Sequence, residues 1–127
     1  MAIPPIFVWD SGSLDIFRSV PQAEDYVEPI DVENGVYEGF DAHGFCLRFS
    51  VVRCAEQSKG RWRLRRSPSE RTQISLHDPP VLDPMRLRAF ILEGLRSRGV
   101  REDPELLRLE LDELVGRAII DLGFTKG

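Results

Sequence analysis

The residues able to do chemistry are few, and they are scattered. His77 stands beside Asp78, just before two prolines, and an imidazole oriented by a neighbouring carboxylate is one form of acid–base pair. His43 lies in the stretch Asp41-Ala42-His43-Gly44, which reads as a turn, where an imidazole is simply solvated. No Gly-x-Ser-x-Gly elbow, phosphate-binding loop or His-Glu-x-x-His motif accompanies either histidine, so no catalytic residue is assigned and the chain is not expected to be an enzyme. Cys46 and Cys54 are eight positions apart. On one strand they would share a face, yet lie too far apart to bond, and they read as small buried hydrophobes. Without paired Cys-x-x-Cys or His-x-x-x-His spacing, no metal site and no cofactor are expected.

Charge is the more informative signal. The 127 residues carry a net charge of −4, but residues 1–52 hold nine acids against two bases, whereas residues 53–71 hold seven bases against two acids. Such a polarised surface steers charged partners and says nothing of fold. The basic segment contains Arg61, Trp62, Arg63, Arg65 and Arg66. Alternate arginines on a strand face, with a tryptophan for stacking, suit phosphates and bases. The same pattern also suits a charged edge strand that resists pairing, or arginines paired with acids of the same sheet. A sequence pI of about 5.2 argues against general nucleic-acid binding.

The acidic segment comprises Asp10, Asp15, Glu24, Asp25, Glu28, Asp31, Glu33, Glu38 and Asp41. These acids either form a solvated face or dock a basic partner and speed its capture. Nuclease-like toxins are basic partners of that sort, since they bind a polyanion. Trp9, Tyr26, Tyr37 and Trp62 are the aromatic anchors such a surface would use, if they are not spent on the core.

These side chains need elements to hold them. Pro5 to Trp9 is a β-branched and aromatic run, hence a strand; Asp10 to Ser13 turns, and Leu14 to Phe17 returns. Ser19 with Gln22 forms a capping box for a short helix whose apolar face is Ala23, Tyr26 and Val27, ended by Pro29. Asn34-Gly35 turns into a strand at Val36–Phe40, which joins Phe45–Arg53 through the Asp41–Gly44 turn as a hairpin. Phe45, Leu47, Phe49 and Val51 alternate as the core face of that return strand. Residues 55–60 form a loop, Arg61–Arg66 a short strand, Ser67–Glu70 a turn and Thr72–His77 a further strand. Asp83-Pro84 and Asp103-Pro104 each start a helix. The first carries a stripe of Leu87, Phe90, Ile91 and Leu95, and the second one of Leu107, Leu111, Leu114, Val115, Ala118 and Leu122. Arg108–Asp112 and Glu113–Arg117 are spaced for ion pairs on the second helix.

Consecutive hairpins and segregated helices predict one α+β domain over residues 1–127. It should be an antiparallel sheet of about four to six strands, with a short helix near the N-terminus and a C-terminal helical hairpin on one face. No run approaches the ~20 apolar residues of a membrane span, and the first residues do not read as a secretory signal, so the expected location is the cytoplasm.

The pattern Glu28-Pro29-Ile30-Asp31-Val32-Glu33-Asn34-Gly35, followed by Asp41-Ala42-His43-Gly44, resembles a stretch of small bacterial immunity proteins encoded beside polymorphic or contact-delivered toxins. The resemblance spans roughly residues 4–48 and lies in what reads as helix end, turn and hairpin. It implies a cytoplasmic protein that neutralises a cognate toxin by occlusion, and it brings no catalytic residues. Two other readings stand beside it: a small enzyme or ligand-binding domain with a pocket between sheet and helices, and a nucleic-acid-binding accessory protein using the arginine stretch.

Overall fold

The computed structural model describes residues 1–54 and 69–125. The expected strand at Arg61–Arg66, and with it Trp62, Arg63 and Arg65, lies outside the described residues. Within them the chain is α+β, with five strands in two antiparallel sheets and five helices.

Strands β1 (Ile6–Asp10) and β2 (Ser13–Phe17) form a tight hairpin. Its two-residue loop, Ser11-Gly12, has φ of 48° and 100°, the left-handed backbone that lets such a loop follow the twist of its strands. Strand β3 (Tyr37–Phe40) pairs on the other side of β1, giving the order β2-β1-β3. Strands β4 (Leu47–Cys54) and β5 (Ser69–Leu76) form the second sheet, with Leu47 opposite Leu76.

The three-stranded sheet is the middle layer. Ile6, Phe7 and Val8 are all fully buried, as expected of a strand covered on both faces. On one face Phe7, Ile16 and Phe40 pack with Leu87, Ile91 and Leu95 of α3 (Pro84–Ser97), Leu106 of α4 (Pro104–Arg108), and Leu114, Val115 and Ala118 of α5 (Leu111–Leu122). On the other face Ile6, Val8 and Phe17 pack with Ala23 of α1 (Val20–Tyr26), Val27, Leu47 and Ile74. The alternation of β1 and β2 thus feeds two cores from one sheet.

Several boundaries differ from those the sequence suggests. Strand β5 begins at Ser69, inside the expected turn. Beyond Pro29 the chain does not turn at once but forms a second short helix, α2 (Pro29–Glu33), whose first position is that proline. An acid followed by proline, Glu28-Pro29, is the same start signal as Asp83-Pro84 and Asp103-Pro104. The last expected helix is two, because Glu110 caps a fresh start through its box with Glu113. The break shifts the helical phase, so Leu106 is buried while Leu107 is exposed. Arg108 and Asp112 fall on different helices, and Arg117 pairs with Asp121 at 2.6 Å, not with Glu113. In the α1 box Ser19 accepts from the Gln22 N–H, but the Gln22 side chain reaches the N–H of Arg18, one residue before the cap.

The expected β3–β4 hairpin shrinks to a single bridge between Phe40 and Cys46, after which the strands enter different sheets. Gly44 explains the bend. Its φ is +90°, and a Cβ there would stand 2.7 Å from the Cα of Pro84. The turn is therefore pressed against the start of α3, where the Asp83 N–H donates to the Gly44 carbonyl at 2.8 Å. No described helix is long and apolar enough to cross a membrane.

Candidate functional site

The nine acids of the N-terminal third have separate fates. Asp41 is fully buried and cannot meet a partner. Its Oδ1 accepts the N–H groups of His43 and Phe45 at 2.9 and 3.0 Å, and its Oδ2 accepts that of Ile3 at 3.1 Å. It is a structural clamp between the N-terminal segment and the turn, a correction to its expected place on a docking surface. Glu24 accepts the Ile74 N–H at 2.8 Å, tying α1 to the outer edge of β5. The buried Thr72 hydroxyl donates to the Val27 carbonyl and completes that seam.

Glu38 is held by Arg86 in a two-pronged ion pair of 2.6 and 2.8 Å. The Arg86 guanidinium also lies 5.2 Å from the ring centre of Phe90, which stacks on Trp9 at 4.5 Å. Trp9 is thus committed to packing. Glu33 lies 3.6 Å from Arg53, whose other partner is Glu70. Asp25 is exposed on α1 and lines a cleft of about 410 Å³ with Glu24, Arg71, Thr72 and Gln73.

The remaining acids gather around two tyrosines. Val8 and Phe17 face α1, so strand alternation places Asp10 and Asp15 on that same face. Tyr26, at the end of α1, packs its ring on Phe17 at 5.1 Å and stays 38% exposed. The negative charge of Asp15, then burial and the charge of Asp10, raise the Tyr26 phenol above its ordinary range. Tyr37, opposite Asp10 in the ladder, accepts the Glu28 N–H at 3.2 Å and donates to Asp31 at 3.4 Å. Burial, with the charges of Asp31 and Asp10, pushes its phenol up as well. Asp15 itself is raised, chiefly by burial, although the Thr125 hydroxyl donating at 3.1 Å works against this. Ile30 of α2 stands 63% exposed in the next turn of chain, and α2 has no buried residue at all.

The result is a face of Asp10, Asp15 and Asp31 around Tyr26 and Tyr37, with Glu28 and Ile30 exposed on the chain between them. Chemically it offers negative potential, two phenols that stay protonated at neutral pH, and an apolar tip. Among the described residues no grouping of His, Cys, Asp and Glu has the arrangement of a metal site.

A second cleft, of about 550 Å³, lies where Gly12–Asp15 meets the end of α3 and residues 122–125. Neither cleft is lined by His43 or His77; the first is exposed in its turn and the second half-buried at the end of β5. Comparison with protein-family models, curated proteins and solved structures gave no match. The tyrosines were legible as candidate anchors in the sequence. Their convergence with Asp10 and Asp15 was not, because it depends on hairpin register.

Proposed function

We propose that this protein works by binding a basic protein partner through the acid and tyrosine face, and that it is an immunity-type inhibitor occluding a cognate bacterial toxin in the cytoplasm. The observation that carries the reading is the exposure of Tyr26 beside the carboxylates of Asp15 and Asp10, with Ile30 exposed on the α2 helix that follows. Interface hot spots are commonly aromatic anchors surrounded by polar groups that exclude water. An α2 helix with no fully buried residue, whose Val32 is only partly buried against the core, supports a surface role for that segment.

The acids draw a cationic partner in, and the anchors hold it. A standard interface buries about 1,600 Å² in total, which engages both short helices and the β1–β2 hairpin together. Binding covers the toxin's site, so the inhibitor supplies no reacting group. The resemblance of residues 28–44 to immunity proteins points the same way.

The test is co-expression with the C-terminal region of the product of the gene immediately upstream, once that region is shown to kill when expressed alone. Wild-type protein restores growth and co-purifies with the toxin; an active toxin that still kills overturns the reading.

A further inference from the structure

The 550 Å³ cleft has a backbone feature on one wall. Ile16 directs its N–H and C=O away from β1, toward Thr125: its N–H donates to the Thr125 hydroxyl at 3.0 Å, and its carbonyl accepts the Thr125 N–H at 2.7 Å. In an antiparallel ladder these directions alternate, so Leu14, two residues away, also turns its N–H and C=O outward. Among the described residues neither group has a hydrogen-bond partner. Leu122, where α5 ends, and Gly123, with a φ of 75°, line the cleft beside Leu14.

The cleft is lined by Leu14, Gly94, Arg98 and Leu122 on one side of the edge and by Asp15 next along the strand. Gly94 lets α3 pack closely on this edge, since a Cβ there would lie 3.2 Å from Leu14 and 3.4 Å from Leu122. An added strand would set alternate side chains toward the two faces. One would meet the apolar wall of Leu14 and Leu122; the next would meet Asp15, on the face of Tyr26 and Asp10.

We infer that the β2 edge at Leu14 accepts a short extended segment of the partner chain, paired backbone to backbone and carrying a Lys or Arg against Asp15. Strand addition of this kind takes affinity from main-chain hydrogen bonds and specificity from alternate side chains. The inference rests on the docking reading above and specifies how the partner enters. Edge strands ordinarily need protection from such pairing, and among the described residues this one bonds outward at Ile16, to Thr125.

The probe is a capped pentapeptide alternating valine and lysine, titrated into the ¹⁵N-labelled protein and followed by NMR. Saturable shifts at the Leu14 amide, together with Asp15 and Thr125, are expected at up to millimolar peptide. The same peptide with alternate amides N-methylated should bind at least about tenfold more weakly, as should the valine–glutamate analogue. An N-methylated peptide that binds equally well would overturn the inference, and so would shifts confined to Tyr26 and Tyr37. That second outcome leaves the docking face standing and removes only the edge mode. Leu14 shifts that instead follow protein concentration, with a dimer in sedimentation, would assign the edge to a second copy of this chain and also overturn it.

Discussion

The hydroxyl of Tyr37 joins the two sides of the α2 start: it accepts the N–H of Glu28 and donates to the carboxylate of Asp31. A strand residue thereby fixes a helix that has no buried residue of its own. Tyr37→Phe removes both bonds while keeping the ring against Phe49. Each bond contributes about 0.5–1.5 kcal/mol, so a small fall in stability is expected, read by urea denaturation. Loosening of α2 should appear as faster amide exchange from Asp31 to Gly35.

The two tyrosines are the only ones in the chain, so their absorbance can be titrated together. Both phenols are raised above their ordinary value of 10.0 by neighbouring negative charge and burial. A raised phenol favours the folded state while it is protonated. That contribution is complete below the unfolded value and fades as pH climbs through the folded one. Asp15→Asn removes the leading cause at Tyr26, so one of the two transitions should move down toward 10.0. An unmoved titration would contradict the placement of Asp15 beside Tyr26.

Asp15 gives an opposite test of stability and binding. Burial raises its carboxyl above 3.8, so the folded state prefers the protonated form. Stability from that preference is present below 3.8 and is lost as pH rises through the folded value. At neutral pH the ionised Asp15 is therefore a cost. Asp15→Asn should raise the melting temperature at pH 7, with the gain shrinking as pH falls through the folded value toward 3.8, and should weaken partner binding. Greater stability with poorer binding is the pattern expected where a charge is kept for function.

Asp41 should behave as structure alone. Asp41→Ala leaves three backbone N–H groups without their acceptor in a buried turn, for a loss of about 2–4 kcal/mol in denaturant unfolding. The milder Glu24→Gln keeps an acceptor for the Ile74 N–H and should leave partner affinity unchanged.

Much of the architecture was legible because local chemistry and tertiary packing agree. The Ile6–Val8 run, the Asp-Pro helix starts and the stripe of Leu87, Ile91 and Leu95 all became what their patterns indicate. Tyr26 was not legible as exposed, because its spacing from Ala23 and Val27 fits an apolar face equally well. Asp41 looked like one more surface acid, since nothing local reveals that residues 3 and 45 will bring their amides to it. The α2 helix was hidden by reading Pro29 only as a terminator. The division of the acids into clamps, ion pairs and a face around the two tyrosines follows from contacts distant in the chain, such as Glu24 with Ile74 and Glu38 with Arg86.

The central claim is that a basic partner is held on the face built by Tyr26, Asp15 and Asp31. The most direct measurement is the affinity of a toxin domain identified by co-expression for wild-type protein and for the Tyr26→Ala/Asp31→Asn variant, by calorimetry at two salt concentrations. Affinity at least about a hundredfold lower is expected for the variant, with wild-type binding that weakens as salt rises. Equal affinity for the two proteins, unchanged by salt, would contradict the central claim.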